Sequence, residues 1–279
     1  EQFKPLLIDV THVSPCYEYR DRRADETPEQ YGQRLVQELE QAIEQLGPQN
    51  VMAFVAETVG GATAGVLTPV PGYLRGVREL CDRHGILLIA DEVQTGFART
   101  GHLFAMEHYG VKPDLITMAK SLAGGTTLSA VSGRQAVMDA PAPGGLGGTY
   151  AGHPLAIAAS HAVLDVIEEE RLCERARHLG DQLMARLIAQ RALYSSLGDV
   201  RGLGAMIACE FVDPKTGAPD AELTKRVQAA ALARGLLLLT CGVHGNVIRF
   251  LFPLTIEDAV FEEGLTTLDE VIAATPPLE

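Results

Sequence analysis

Lys120 directly follows the apolar stretch of residues 115–119, and Asp91, 29 positions earlier, directly follows another at 86–90. Each stretch has the length and composition of a buried strand. Together they put an amine and a carboxylate on one rim of a parallel sheet, where ligands of α/β proteins bind. The chemistry that most needs both groups is pyridoxal phosphate catalysis, in which a lysine forms an imine with the aldehyde and an acid keeps the pyridine nitrogen protonated. Taken singly, each has a plainer reading: most lysines are solvated surface groups, and aspartates often cap strands or turns.

The surrounding pattern supplies the elements that must hold these groups. Thr27-Pro28-Glu29-Gln30 offers an N-cap, a proline at the first helical position and a capping glutamine; Tyr31, Leu35, Leu39, Ile43 and Leu46 then recur at helical spacing until Gly47-Pro48. A strand at 51–56, a flexible loop at 60–65, a helix at 71–84 and a strand at 86–90 follow, with further short strands at 115–119 and 128–132. This alternation predicts an α/β fold with a mostly parallel sheet flanked by helices. Glycine and proline crowd residues 141–152, and a domain transition is expected there. The division is 1–153 for the larger domain and 154–279 for connecting helices and a smaller C-terminal α+β domain. In the latter, helices are expected at 154–170, 172–190, 221–234 and 256–273, and strands at 200–211, 236–239 and 247–250.

With 279 residues, 47% hydrophobic and 21% charged, the chain can bury a large core. A formal net charge of −13 repels phosphate backbones and argues against a nucleic-acid partner, while a small anionic substrate is compatible with local cationic sites. The five cysteines show no CxxC spacing and the eight histidines no HxxxH pair, which argues against a disulfide framework or a zinc site and fits a reducing cytoplasm. No apolar run approaches the roughly 20 residues needed to span a bilayer. Glu1 opens onto Lys4-Pro5-Leu6-Leu7 without an initiator methionine or a leader, and the sequence reads as one entered partway through.

The run Ile89-Ala90-Asp91-Glu92-Val93-Gln94-Thr95-Gly96, with Arg99-Thr100-Gly101, Pro113-Asp114, Ala119-Lys120-Ser121 and Gly124-Gly125, resembles the class III pyridoxal phosphate-dependent aminotransferases. Gly147-Gly148-Thr149-Tyr150-Ala151-Gly152-His153-Pro154, Gly198-Asp199-Val200-Arg201-Gly202-Leu203-Gly204 and Val247-Ile248-Arg249-Phe250-Leu251 are most similar to the 4-aminobutyrate aminotransferases among them. The resemblance covers nearly the whole chain and implies the fold type I of pyridoxal phosphate-dependent transferases. It also implies a homodimer with shared active sites and transfer of an amino group from an amine or ω-amino acid to a 2-oxo acid such as 2-oxoglutarate or pyruvate.

Residue by residue, the resemblance implies that Lys120 forms the imine with the cofactor and moves the substrate proton, and that Asp91 holds the ring nitrogen. It implies that Val93 packs on the ring, Gln94 reaches its phenolic oxygen, and Thr149 contacts the phosphate across the subunit boundary. Glu57 matches an acid ending a strand near the cofactor, and Arg249 matches a late arginine that binds a substrate carboxylate, for which a planar guanidinium is well shaped. Thr149 also reads as an ordinary turn residue, and Arg249 as one half of a permanent ion pair.

The sequence departs from the family pattern in three places. Thr58 replaces a usual proline, Ala62 stands nearest the position of a glutamate that pairs with the late arginine, and the family's glycine-serine phosphate loop is expected ahead of Glu1, outside this sequence. A dialkylglycine decarboxylase or an aminomutase would use the same lysine and aspartate. A non-catalytic remnant of the fold is the alternative from outside enzymology.

Overall fold

Thr27 starts the first long helix as its side chain predicts. Its hydroxyl accepts from the Gln30 amide at 3.2 Å, and the Gln30 side chain accepts from the Thr27 amide at 2.8 Å. The computed structural model of the chain describes residues 3–277, so Glu1 lies outside the described residues. Helix α1 (Glu18–Asp21) is a short turn, and α2 (Pro28–Leu46) buries Tyr31, Leu35, Leu39 and Ile43 before Gly47 ends it at φ 80°. Helix α3 (Tyr73–His84) packs along α2. The approach depends on Gly76, where an added Cβ would stand 2.8 Å from a methyl of Val36.

These two helices cover one face of a four-stranded sheet. Strands β1 (Ala53–Glu57), β2 (Leu87–Asp91) and β3 (Leu115–Met118) run parallel in that order, and β4 (Ala130–Gly133) pairs antiparallel with β3 at the edge. Period-2 alternation divides their side chains. Phe54, Leu88, Ala90 and Ile116 join the helices in one hydrophobic cluster, so Glu57, Ile89, Asp91 and Thr117 take the opposite face. The antiparallel direction of β4 fits its connection, residues 119–129, which holds a single 3₁₀ turn and lacks the crossover helix that a parallel strand needs.

Helix α4 (Gln135–Met138) leads through a glycine-rich stretch to α5 (Pro154–Glu169), which packs on the turn 120–123, and to α6 (Leu172–Leu193). A second sheet, wholly antiparallel, has the order β5 (Leu197–Leu203), β6 (Met206–Phe211), β8 (Val247–Phe250), β7 (Leu239–Cys241). The expected strand at 200–211 is thus a hairpin that turns at Gly204 and Ala205. The expected strand at 236–239 lies later, because Leu236 and Leu238 pack into the helical core and only residues from Leu239 onward pair with β8.

One face of this sheet, with Ile207, Cys209, Phe211, Ile248 and Phe250, packs on α6, α7 (Ala221–Ala233) and α8 (Asp258–Ala274). The other carries Asp199, Arg201, Ala208, Glu210, Val247 and Arg249, and its apolar members meet Val59, Val66 and Ala105 of the first half of the chain. Among the described residues no helix is long and apolar enough to cross a membrane.

Candidate active site

The C-terminal rim of the first sheet is a single row: Glu57 pairs with Asp91 and Asp91 with Thr117. Side chains in register on parallel strands point the same way, so two carboxylates from neighbouring strands share the exposed rim. Asp91 is half-buried, and its Oδ1 accepts from the Val93 amide at 2.9 Å, which folds the chain back over the end of β2. The next residue fixes that fold. Glu92 is fully buried and accepts from the amides of Ala105 at 3.0 Å and Met106 at 2.9 Å, and from the hydroxyls of Thr58 and Thr95. A buried carboxylate is stable only when so satisfied, and here it ties the ends of β1 and β2 to one loop. Thr58 takes part in this directly, since its hydroxyl donates to Glu92 at 3.0 Å, which a proline could not do.

Lys120 enters from β3. It adopts φ 45°, a left-handed conformation costly for a residue with a Cβ, at the start of a 3₁₀ turn (Lys120–Ala123) anchored by buried Leu122 and Ala123. Strain of this kind persists where packing over-determines it, and it concentrates at functional sites. The Lys120 Nζ lies 3.2 Å from Gln94 Oε1 and, among the described residues, has no carboxylate within ion-pair distance. Gln94 also touches the loop after β1: a Cβ added to Gly61 would stand 2.9 Å from Gln94 Oε1 and 3.0 Å from Glu57 Oε1. The Gly61 amide donates to Glu57 Oε2. Glu57, Gln94, Gly61 and Lys120 therefore form one cluster, with Asp91 in the adjoining strand and Val93 beside it. An amine free of ion pairs and a half-buried acid on a shared rim fit the demands of a pyridoxal group.

Two of the expected site residues lie elsewhere. Thr149 sits in an exposed turn closed by the Ala151 amide on the Gly148 carbonyl at 3.0 Å, just ahead of α5, with no side-chain hydrogen bond among the described residues. Arg249 lies on β8, on the sheet face turned toward the first half of the chain, and is only 9% exposed. Its Nε and Nη1 have no hydrogen-bond partner, and among the described residues no carboxylate lies within 4.0 Å. Among the described residues Arg249 therefore makes no ion pair. A buried guanidinium with unused donors is a ready carboxylate site.

Sequence reasoning assigned no role to Gly61 or Arg201. Strand pairing puts Arg201 on the same sheet face as Arg249, and its partners, the carbonyls of Gly65 and Val66, lie far away in the chain. Arg201 and Glu210 form the centre of a buried network. Burial alone would raise the Glu210 carboxyl, yet bonds from Tyr17 at 2.6 Å and Arg201 at 2.7 Å outweigh it and hold the group below its ordinary range. The Tyr17 phenol is correspondingly pushed up to about 12 by burial and by its bond to Glu210.

Comparison with known proteins agrees with this geometry. The chain is 52% identical over 227 residues to a 5-aminovalerate aminotransferase of Pseudomonas putida, covering 81% of this chain and 53% of that protein. It is 52% identical over 224 residues to a 4-aminobutyrate aminotransferase of Escherichia coli, covering 80% and 52%. It thus spans about half the length of these relatives. Among solved structures, an ω-transaminase of Pseudomonas jessenii in complex with PMP superposes with a TM-score of 0.88 at 31% identity, covering 95% of this chain and 60% of that one. An amine transaminase from an uncultivated Pseudomonas species, in its PLP-bound form, gives 0.85 at 36% identity over 93% and 60%. The fold is that of the transaminases. The family model for class III aminotransferases matches residues 1–272, and with the amine and the acids gathered on one strand rim, the chain belongs to that family.

Proposed function

We propose that this chain carries the catalytic and carboxylate-binding machinery of a pyridoxal phosphate-dependent aminotransferase that moves an amino group from an amine or ω-amino acid, of the 4-aminobutyrate kind, to a 2-oxo acid such as 2-oxoglutarate or pyruvate. The observation that carries this reading is the Lys120 amine lying 3.2 Å from Gln94 beside the Glu57 and Asp91 carboxylates.

Pyridoxal phosphate would be held by Lys120, Asp91, Val93, Gln94 and Thr149, and would supply an electron sink for loss of the proton on the amine-bearing carbon. The chain's own residues do the rest. Lys120 Nζ would carry the proton from that carbon to the cofactor carbon that keeps the nitrogen, a role that suits an amine on a turn held in one strained conformation. Asp91 would keep a proton on the ring nitrogen, and Val93, β-branched and sparing in rotamers, would give the ring a firm surface. Gln94 and Glu57 orient the polar groups at the amine end, with Gly61 keeping the loop close to both. Arg249 holds the substrate carboxylate with a guanidinium whose Nε and Nη1 have no partner among the described residues.

The same reading makes the protein a cytoplasmic homodimer, with Thr149 reaching the neighbouring subunit's site, and places the boundary between its two domains near residue 153. Support for the dimer comes from the flanks of Thr149: Tyr150 is 81% exposed and Leu155 is 73% exposed, large apolar groups that a subunit interface would cover.

The test is covalent. Addition of pyridoxal phosphate followed by borohydride is expected to leave a reduced adduct on the peptide containing Lys120, found by mass spectrometry, and Lys120→Ala is expected to lose it together with about 100- to 10,000-fold of amino transfer. An adduct spread over several surface lysines and kept by Lys120→Ala would sink the assignment.

A further inference from the structure

Arg201 and Arg249 occupy one cross-strand row, since Arg201 pairs with Ala208 and Ala208 with Arg249. The two guanidiniums share a sheet face with only an alanine strand between them, yet their circumstances are opposite. Arg249 leaves Nε and Nη1 unpartnered, whereas Arg201 is saturated. Its Nη1 donates to Asp199 Oδ2 at 2.8 Å and to Glu210 Oε2 at 2.7 Å; its Nη2 donates to the Gly65 carbonyl at 2.7 Å; its Nε is shared between the carbonyls of Gly65 at 3.0 Å and Val66 at 3.1 Å.

The two residues whose carbonyls it holds are both left-handed: Gly65 at φ 83° and Val66 at φ 58°. For a β-branched residue that conformation is an outlier, and it needs external support. Val66 is fully buried against Met206, Ala208 and Val247, and Arg201 supplies the polar half of the support. The loop so fixed, residues 60–67, is closed on itself by paired bonds between Gly60 and Leu67. At one end the Gly61 amide reaches Glu57, in the cluster with Gln94 and Lys120. In its middle the Ala62 carbonyl accepts from the Gly242 amide, in the turn between β7 and β8, at 3.1 Å. The loop is thus a strut between the amine end of the site and the sheet that bears Arg249.

The geometry points to Arg201 as a positioning residue that sets the separation between the Lys120 and Arg249 ends by holding this loop, and so decides selectivity for donors that carry a carboxylate. The inference rests on the roles given above to Lys120 and Arg249. Asp199 and Glu210 have a complementary effect. By neutralising Arg201 they leave a substrate carboxylate with one free guanidinium in the row instead of two.

Arg201→Lys keeps the positive charge beside Glu210 but cannot fork to two acids and two carbonyls together. Gly65→Ala disturbs the same contact from the loop side, since its Cβ would lie 3.2 Å from Arg201 Nη2 and 3.1 Å from Val247 at φ 83°. It leaves the ion pairs of Arg201 in place and so covers failure of the first variant to fold. For both, amide hydrogen exchange across residues 61–66 is expected to quicken about tenfold or more, with the strands of the first sheet unchanged. The dissociation constant for glutarate, a dicarboxylate that cannot react, is expected to rise about tenfold or more. With the pyridoxal phosphate-loaded protein, KM for 4-aminobutyrate should rise while kcat/KM for 1-phenylethylamine, which has no carboxylate, stays within about twofold.

Unchanged exchange at 61–66, or an equal fall for the two donors, overturns the proposal. Failure of the wild-type chain to bind glutarate overturns the reading of Arg249 itself, and the proposal with it, before any variant is made.

Discussion

Replacing Arg249 with methionine should make the unliganded protein more stable and a worse carboxylate binder. The starting point is a guanidinium that is 9% exposed, with two nitrogens lacking any partner. Each buried donor left unsatisfied costs about 1–3 kcal/mol, so the pair withholds about 2–6 kcal/mol from the folded state. Methionine has similar length and no donors, and it adapts to irregular surroundings. Imperfect packing recovers only part of that penalty, and a gain of about 1–3 kcal/mol is expected, in line with other replacements of buried charges by apolar groups. With a urea dependence of about 3 kcal/mol per molar, the unfolding midpoint should rise by about 0.3–1 M.

Binding should move the other way. Removing one partner of a buried charged pair costs about 2–5 kcal/mol, which is a loss of about 30- to 4,000-fold in glutarate affinity. The assay is a urea titration of both proteins with and without glutarate. The wild type should be stabilised by the ligand and the variant should not, so their order of stability converges or reverses as glutarate is added. A variant less stable than the wild type without ligand would mean that the guanidinium already has its partners. Equal stabilisation of both by glutarate would mean that the carboxylate binds elsewhere.

Gly180→Ala in α6 should destabilise the protein by about 3 kcal/mol, read as a fall in the urea midpoint, because overpacking against backbone cannot be relieved by a rotamer change. The added Cβ would stand 1.9 Å from the carbonyl oxygen of Gly204, in the turn between β5 and β6. Acid should weaken the buried network around Glu210. Burial pulls that carboxyl up, the bonds from Tyr17 and Arg201 more than reverse the effect, and its folded value lies below the unfolded one. Its contribution is therefore fully present above the unfolded value of about 4.3 and is lost as pH falls through the folded value. Urea midpoints taken from about pH 6 down to about pH 3 should decline less steeply in Glu210→Gln than in the wild type, and parallel curves would refute the linkage.

Much of the architecture could be read from local signals because those signals act locally. The capping box at Thr27 and Gln30 and the spacing of Tyr31, Leu35, Leu39 and Ile43 specify α2 without tertiary help. The apolar runs ending at Asp91 and Lys120 likewise marked two strands of a parallel sheet. Strand partners and directions were not legible. The sequence around Ala130 does not encode an antiparallel edge, and the four leucines at 236–239 carry no phase from which β7 could be placed; its pairing with β8 decides that. At the site, motif order pointed to Glu57, Gln94 and Lys120, which the fold brings together. The grip of Arg201 on Gly65 and Val66 was invisible, because backbone carbonyls present the same acceptor whatever the side chain. The left-handed Val66 and Lys120 were equally hidden, since neither residue type favours that conformation.

The contrast between the two arginines explains how a chain can carry buried charge without losing its shape. Arg201 and Arg249 are set by the same alternation in the strands on either side of β6, and both lie where the second sheet faces the first half of the chain. Charge burial is tolerable only when a counter-charge and hydrogen bonds accompany it. For Arg201 the protein provides all of these from Asp199, Glu210 and the carbonyls of Gly65 and Val66, so the group is permanent framework. For Arg249 no counter-charge lies within 4.0 Å among the described residues, and in the proposed function the substrate carboxylate supplies it. A carboxylate arriving there changes the sign of the residue's contribution to stability, and it does so on a sheet that the loop at 60–67 ties to Glu57, Gln94 and Lys120. Binding energy released at the guanidinium can therefore be spent on orientation at the amine, because the framework between the two ends is held by bonds the substrate does not have to make.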